Sequence, residues 1–322
     1  MAATTVAATM TPASNKSGQT ATARQFKITD IPKTMKKMNW PVAADLMNHW
    51  FNGEPWPTED GGMSDAVKRH DEFAPSAYIE ESIVKMSWVI GFDRAKTAFN
   101  HLKANWNSPL GTELIKRRLS KAYSDSSPGC YQLAFDGVAS AAEKFGYSNN
   151  TVVEFEQTGS DDVNELRAAL ANFNMRAIAE GSVIVTDKSI TFMPVRVGFY
   201  IEDAYDFNDG VVLFSQILGF WNFDKLVVDP VEGAQANAKL SAEMAATAAD
   251  SKYQEITGQQ TSEGKEAAAH RYRELQGRYY MLVQNSDFRD YRELKKKGGD
   301  FRVYSDILYE SVSTTPIEIL HK

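Results

Sequence analysis

The sequence predicts an α+β fold: a helical N-terminal half packed on a mainly antiparallel β-sheet, with a helical alanine-rich arm inserted before the last strands. Three observations point there. Apolar residues recur at helical spacing from Pro41 to Tyr123. Two β-rich segments, Arg176 to Thr186 and Ser189 to Tyr205, are joined by the short polar turn Asp187-Lys188, the pattern of a hairpin. Residues 279–308 read as strand, helix, strand.

Taken in order, the first 25 residues hold seven Ala, six Thr and two Ser and no acidic or aromatic side chain, which predicts a disordered tail. They also lack the apolar run of a secretory signal. Asp30 followed by Pro32 is a helix start, because a proline in the first turn gives up no hydrogen bond. From Pro41, the residues Val42, Leu46, Met47 and Trp50 share one helical face, and Asn52-Gly53-Glu54-Pro55 ends it. Ile83 to Phe92 is β-rich and closed by Gly91, so a strand is expected there. Asp93 then caps a helix through Ala95, Phe99, Leu102 and Trp106, and Pro109 opens another through Ile115, Leu119 and Tyr123. Five of the six tryptophans fall between Trp40 and Trp106, which places a large core in this half.

A helix around Asp161 to Phe173 precedes the hairpin. Residues 231–270 carry eleven Ala and one aromatic, Tyr253, predicting a partly helical, mobile arm without coiled-coil heptads. Ser286 and Asp287 open a helix that ends in Lys295-Lys296-Lys297, with Gly298 expected as its left-handed cap. No Pro/Gly/Ser-rich linker divides the chain. The expected organisation is a tail over 1–25 and a single domain over 26–310. That domain is mainly helical over 26–150, β-rich over 151–230, an alanine-rich arm over 231–277 and strand–helix–strand over 278–310. A C-terminal tail over 311–322 follows.

The charge balance excludes more than it identifies. Thirty-five Lys and Arg against 42 Asp and Glu give a formal charge of −7, which argues against sequence-independent nucleic-acid binding. Residues 151–230 hold five basic and thirteen acidic side chains, a local balance of −8, so the acidity is concentrated on the sheet region. One cysteine, Cys130, excludes an internal disulfide and any cysteine-cluster metal site. No apolar run approaches the length of a membrane span; the greasiest, Val211 to Trp221, is too short. The five histidines are scattered, and phosphate-loop, dinucleotide and nucleophile-elbow motifs are missing.

The densest chemical cluster is Glu202-Asp203-Ala204-Tyr205-Asp206-Phe207-Asn208-Asp209-Gly210, where a strand leaves the sheet. Carboxylates at that density repel one another and either raise some pKa values or recruit a hard cation. Asp203, Tyr205 and Asp206 are therefore the catalytic candidates of a cation-dependent hydrolase. Asp203, Asp206 and Asp209 are the candidate ligands for Mg²⁺ or Ca²⁺. The competing reading makes Asn208-Asp209-Gly210 a tight turn with solvated acids. Arg289 and Arg292, next to Gly298-Gly299, form the candidate anion site.

Three blocks carry a resemblance: Ile31-Pro32 through Trp40-Pro41-Val42-Ala43-Ala44 to Trp50-Phe51, Ser82-Ile83-Val84-Lys85 to Arg94-Ala95-Lys96, and Asn285-Ser286-Asp287-Phe288-Arg289 through Gly298-Gly299-Asp300-Phe301 to Ser305-Asp306. They resemble a proteobacterial domain family of unknown function found near type VI secretion and Rhs-type toxin loci. Asp203-Ala204-Tyr205-Asp206 also resembles the Asp-x-Tyr-Asp of colicin M-type toxins, which cleave lipid-linked peptidoglycan precursors with Mg²⁺. That family's following His-Arg is replaced here by Val212-Leu213. The resemblance implies a type VI secretion-associated effector, an antibacterial toxin acting on the recipient envelope. It would be held in the producer's cytoplasm and delivered by a route independent of a signal peptide. The partners implied are a spike, tube or chaperone protein and an immunity protein. The alternative is a non-catalytic adaptor or structural partner of the secretion machinery.

Overall fold

The computed structural model describes residues 24–155, 163–208 and 215–320. The chain forms two compact units, one joining the residues up to Asp30 to Gly219–Val283, the other joining Ile31–Leu218 to Gln284–Lys322. The tail predicted over 1–25 lies, up to residue 23, outside the described residues.

In chain order the larger unit contains α1 (Ile31–Lys37), α2 (Pro41–Asn52), α3 (Asp65–Lys68), β1 (Ile79–Val84), α4 (Met86–Val89), α5 (Asp93–Asn105) and α6 (Pro109–Tyr123). It continues with β2 (Gly129–Leu133), α7 (Ala139–Phe145), β3 (Asn149–Val153), α8 (Glu165–Leu170), β4 (Phe173–Val185) and β5 (Ser189–Tyr205). The smaller unit is built from β6 (Ile217–Trp221), β7 (Leu226–Val227), α9 (Pro230–Ile256), α10 (Ser262–Gly277) and β8 (Met281–Gln284). The chain then returns to the larger unit with α11 (Asn285–Lys295), β9 (Phe301–Ser305), β10 (Leu308–Ser311) and β11 (Ile317–Leu320). The fold is α+β with a mainly antiparallel sheet.

The β4–β5 hairpin is the spine. The Thr186 hydroxyl accepts from the Lys188 and Ser189 amides and closes the turn. The register slips between Glu180 and Gly181, where a bulge brings Gly181 against the Met193 carbonyl; a Cβ there would lie 2.0 Å from that oxygen, so only glycine fits. β4 pairs on its far side with β2 and β3, while β5 pairs successively with β11, β10 and β9. β1 adds in parallel beyond β9. The segment past residue 310, expected as a tail, thus supplies a strand.

Strand alternation gives the sheet two faces. Phe199 and Tyr205 turn to the helices of one side, where Phe199 meets Phe99 of α5 at 5.1 Å between centroids and the Tyr205 hydroxyl lies 3.8 Å from the Met47 sulfur of α2. Arg176, Tyr200, Glu202 and Arg302 turn to the other, toward α7 and the end of α3. Two local expectations change. The strand expected over Ile83 to Phe92 stops at Val84, and α4 begins because the Asp306 carboxylate accepts from the Met86 amide at 2.7 Å. The left-handed cap of α11 is Lys296 (φ 53°) rather than Gly298. Gly298 (φ 101°) lies against the Trp50 ring, and its amide donates to the Gly53 carbonyl at 2.9 Å.

In the smaller unit β7, β6 and β8 form a three-stranded sheet. Val227, Leu240, Leu275 and Tyr280 make its core with Phe220, Ala236 and Met244 packed against them. Asn237 holds both backbone groups of Tyr280, at 2.8 and 2.9 Å. The arm expected to be partly helical consists of two long helices, capped by the side chains of Asp229 and Thr261.

Candidate functional site

The acidic run at the end of β5 does not act as one group. Alternation puts Glu202 on one face and Asp203 on the other. Asp203 is half-buried and accepts from the Ala204 amide at 2.8 Å. Burial, followed by the Glu202 and Asp206 charges, pushes its carboxyl well above the usual range. Tyr205, also raised by burial and by Asp203, is enclosed by Met47, Phe207 and Phe301. Asp206, past the strand, pairs with Lys68 at 3.1 Å. Asp209 lies outside the described residues. Among the described residues no group of three or more His, Cys, Asp or Glu side chains is arranged to hold a metal ion.

The two candidate anion ligands have internal partners. Arg289 Nη1 donates to the Phe207 carbonyl at 3.1 Å. Arg292 is buried under the Trp50 ring, donates to the Gly298 carbonyl at 2.8 Å and pairs with Asp300. Asp300, fully buried, also accepts from Trp50 Nε1 and the Met63 amide, both at 2.9 Å, and from Asn208 at 3.1 Å. Burial raises its carboxyl in spite of these donors. The Gly298-Gly299 backbone, read as an opening for a phosphate, is occupied by the end of α2: the Gly299 amide donates to the Trp50 carbonyl at 3.0 Å.

The side chains brought together most closely were not candidates as a set. On the Glu202 face, Arg176 of β4 and Arg302 of β9 both pair with Glu202, Arg176 at 2.7 Å. Arg176 also lies 3.3 Å from Glu143 of α7. The Tyr200 hydroxyl donates to Glu143 at 2.8 Å. His70, held in the left-handed region (φ 62°) just past α3, sits between them, 3.5 Å from Glu143 and 3.4 Å from Glu202. Its side chain is 27% exposed, the opening of an otherwise buried cluster. The two carboxylates are driven apart. Burial pushes both up, and Glu143 stays raised. For Glu202, the hydrogen bond from His70 and the Arg302 and Arg176 charges outweigh burial and hold it down at about 2. The available signal was charge set among apolar strand residues, at Arg176 of β4, Glu202 of β5 and Arg302 of β9. His70 and Glu143 carried no such mark.

A separate cavity of about 380 Å³ lies at the start of α5 beside Phe92, Arg94, Phe155 and Asn164, and none of the clustered charges lines it. With this geometry in place, comparison with known families is decisive at one level: a family model matches residues 26–319. The chain belongs to a family of unknown function, DUF6402. No curated protein and no solved structure matches it. For this DUF6402 chain, residue roles therefore rest on the contacts just described. No helix among the described residues is long and apolar enough to cross a membrane.

Proposed function

We propose that this DUF6402 protein works by binding, as an adaptor or structural partner of a bacterial secretion machine of the type VI kind, with the α9–α10 hairpin as its docking element. The observation that carries this reading is the exposure of the hairpin. Only Gly233 and Leu240 of α9 and Leu275 of α10 are buried, while Tyr253, Ile256 and Tyr272 stand 63%, 75% and 42% exposed. Large apolar side chains exposed together with the alanines of this helix pair offer a partner an apolar surface. The pairing of Asp206 with Lys68 and of Arg292 with Asp300, and the enclosure of Tyr205, fit a protein whose charges serve the fold.

The test uses the intact chain and a variant in which residues 248–266 are replaced by a short Gly-Ser loop, which keeps the Leu240–Leu275 core. Each is mixed, purified, with type VI spike, tube and chaperone proteins of the same bacterium. The intact chain is expected to retain one of them and the shortened chain to lose it. Equal retention, or none by either, rejects the reading.

A second reading is favoured by the divergent carboxylates beside His70: a secreted antibacterial toxin acting on the recipient envelope. Pairs of titratable groups driven apart in pKa are a mark of acid–base sites. In this reading Glu143, raised by burial, and His70 at the opening form one candidate acid–base site, and Asp203, on the other face of the sheet, with Asp206 are the cation-binding candidates for Mg²⁺ or Ca²⁺. Expression in a sensitive bacterium, in cytoplasmic and periplasmic forms, tests it. Growth arrest relieved by His70→Ala, or by Asp203→Ala with Asp206→Ala, supports it and separates the two sites. Normal growth in both forms rejects it, and arrest relieved by a co-expressed neighbouring gene identifies the immunity partner.

A further inference from the structure

The back of α9, the side turned away from α10, carries its own pattern. Leu240 and Met244 pack toward Leu275 of α10. About half a helical turn around lie Val231, Ala238, Ala242, Ala245, Ala249, Tyr253 and Ile256, all exposed. The large members stand at the two ends: Val231 and Tyr253 are each 63% exposed and Ile256 is 75% exposed. Reversing the helix about the point midway between Glu243 and Met244 exchanges Val231 with Ile256, Ala238 with Ala249 and Ala242 with Ala245. It also sets Ala234 opposite Tyr253, a small side chain against a large one. Reversal therefore sets apolar side chains against apolar side chains along the whole stripe, the self-complementarity that an isologous two-fold contact needs.

We propose that a second copy of this chain covers this stripe, with the two α9 helices packed antiparallel about a two-fold axis. This goes beyond the docking reading, whose occupant is a secretion protein, by assigning the back of α9 to a second copy. The alanines at the centre let the backbones approach closely, and the apolar ends close over each other. Charge agrees with the arrangement. Lys239 and Asp250 lie on the same edge of the stripe, and in an antiparallel pair like edges run side by side. Lys239 of one copy then falls within about 3 Å, along the helix, of Asp250 of the other, and the pair forms twice. Among the described residues Asp250 is half of no ion pair, and it accepts from Gln254 at 3.1 Å. Glu243, the like charge nearest the axis, is already engaged by Arg271 at 3.0 Å.

Sedimentation equilibrium of the full chain between about 1 and 200 µM tests the proposal, the range suited to a contact made by one helix face. A reversible dimer is expected. Ala242→Glu with Ala245→Glu crowds four carboxylates at the axis and is expected to weaken it at least about tenfold, with helix content unchanged because both sites are exposed. Lys239→Asp alone is expected to weaken the dimer, and Lys239→Asp with Asp250→Lys to restore it. A chain monomeric at 200 µM, a dimer untouched by the two glutamates, or a charge reversal that restores nothing each overturns it. Retention of spike or tube protein by the monomeric double-glutamate variant is measured in parallel. If retention survives while the wild-type chain is monomeric, the self-association proposal falls alone; if the dimer forms and nothing is retained, the secretion reading falls alone.

Discussion

In the larger unit Arg176, Glu202, Arg302 and Asp300 are each exposed by less than 5%, and every one has a charged partner. On the α9–α10 hairpin Glu243, Arg271 and Glu274 are each about half exposed and meet at 3.0 to 3.6 Å. The chemistry of the contacts is the same and its energetic weight differs. A buried ion pair has already lost its hydration, so deleting one member strands the other in low dielectric. An exposed pair trades water for a partner at almost no net gain. The sheet unit therefore depends on its charges for folding, whereas the exposed charges of the hairpin contribute little to its stability.

The largest effect that sharpens this contrast is expected from Arg302→Met, which leaves Glu202 short of a cation and the Val67 and Lys68 carbonyls without their donor. A loss of about 3–5 kcal/mol, read by urea denaturation, is expected. A loss below about 1 kcal/mol would mean that the cluster is not structural. The pH dependence follows from Glu202, whose carboxyl falls from an ordinary 4.5 to about 2 on folding. Its contribution is fully present above pH 4.5 and is lost as the pH falls toward 2, on the order of 3 kcal/mol in all. Glu143 acts with the opposite sign, its contribution being lost as the pH rises through its elevated pKa. Stability measured from pH 6 to 2 is expected to decline for the wild type and to flatten in Glu202→Gln.

Smaller effects follow in order. Tyr200→Phe removes the hydroxyl that donates to buried Glu143 and is expected to cost about 1–3 kcal/mol by the same denaturation. On the hairpin, Glu243→Ala is expected to change stability by no more than about 0.5 kcal/mol. A loss comparable with Tyr200→Phe would remove the distinction between the two units.

What could be read from sequence follows the range of the forces involved. Pro41–Asn52 and Pro109–Tyr123 were legible because their apolar faces and prolines are local. The β4–β5 hairpin was legible because its turn and its two strands are contiguous. The change from β1 to α4 was not, since the carboxylate that caps α4 is 220 positions away. Gly298 looked like a helix cap, yet its conformation answers to the Trp50 ring and the Gly53 carbonyl. For the site, the carboxylate run at the end of β5 was visible, and alternation alone sends Glu202 and Asp203 to opposite faces, but the Arg302 and Glu143 that meet on the Glu202 face come from β9 and α7. His70, a lone histidine in a polar stretch, gains its four charged neighbours only through the fold.

The most direct test of the proposed binding role is the affinity of the purified chain for type VI spike, tube and chaperone proteins, measured by calorimetric titration with the intact and the hairpin-shortened forms. Micromolar or tighter binding to one of them, lost on shortening while the melting transition of the sheet unit persists, is the expected result. Binding that is unchanged in the shortened form, or absent in the intact chain, would contradict it.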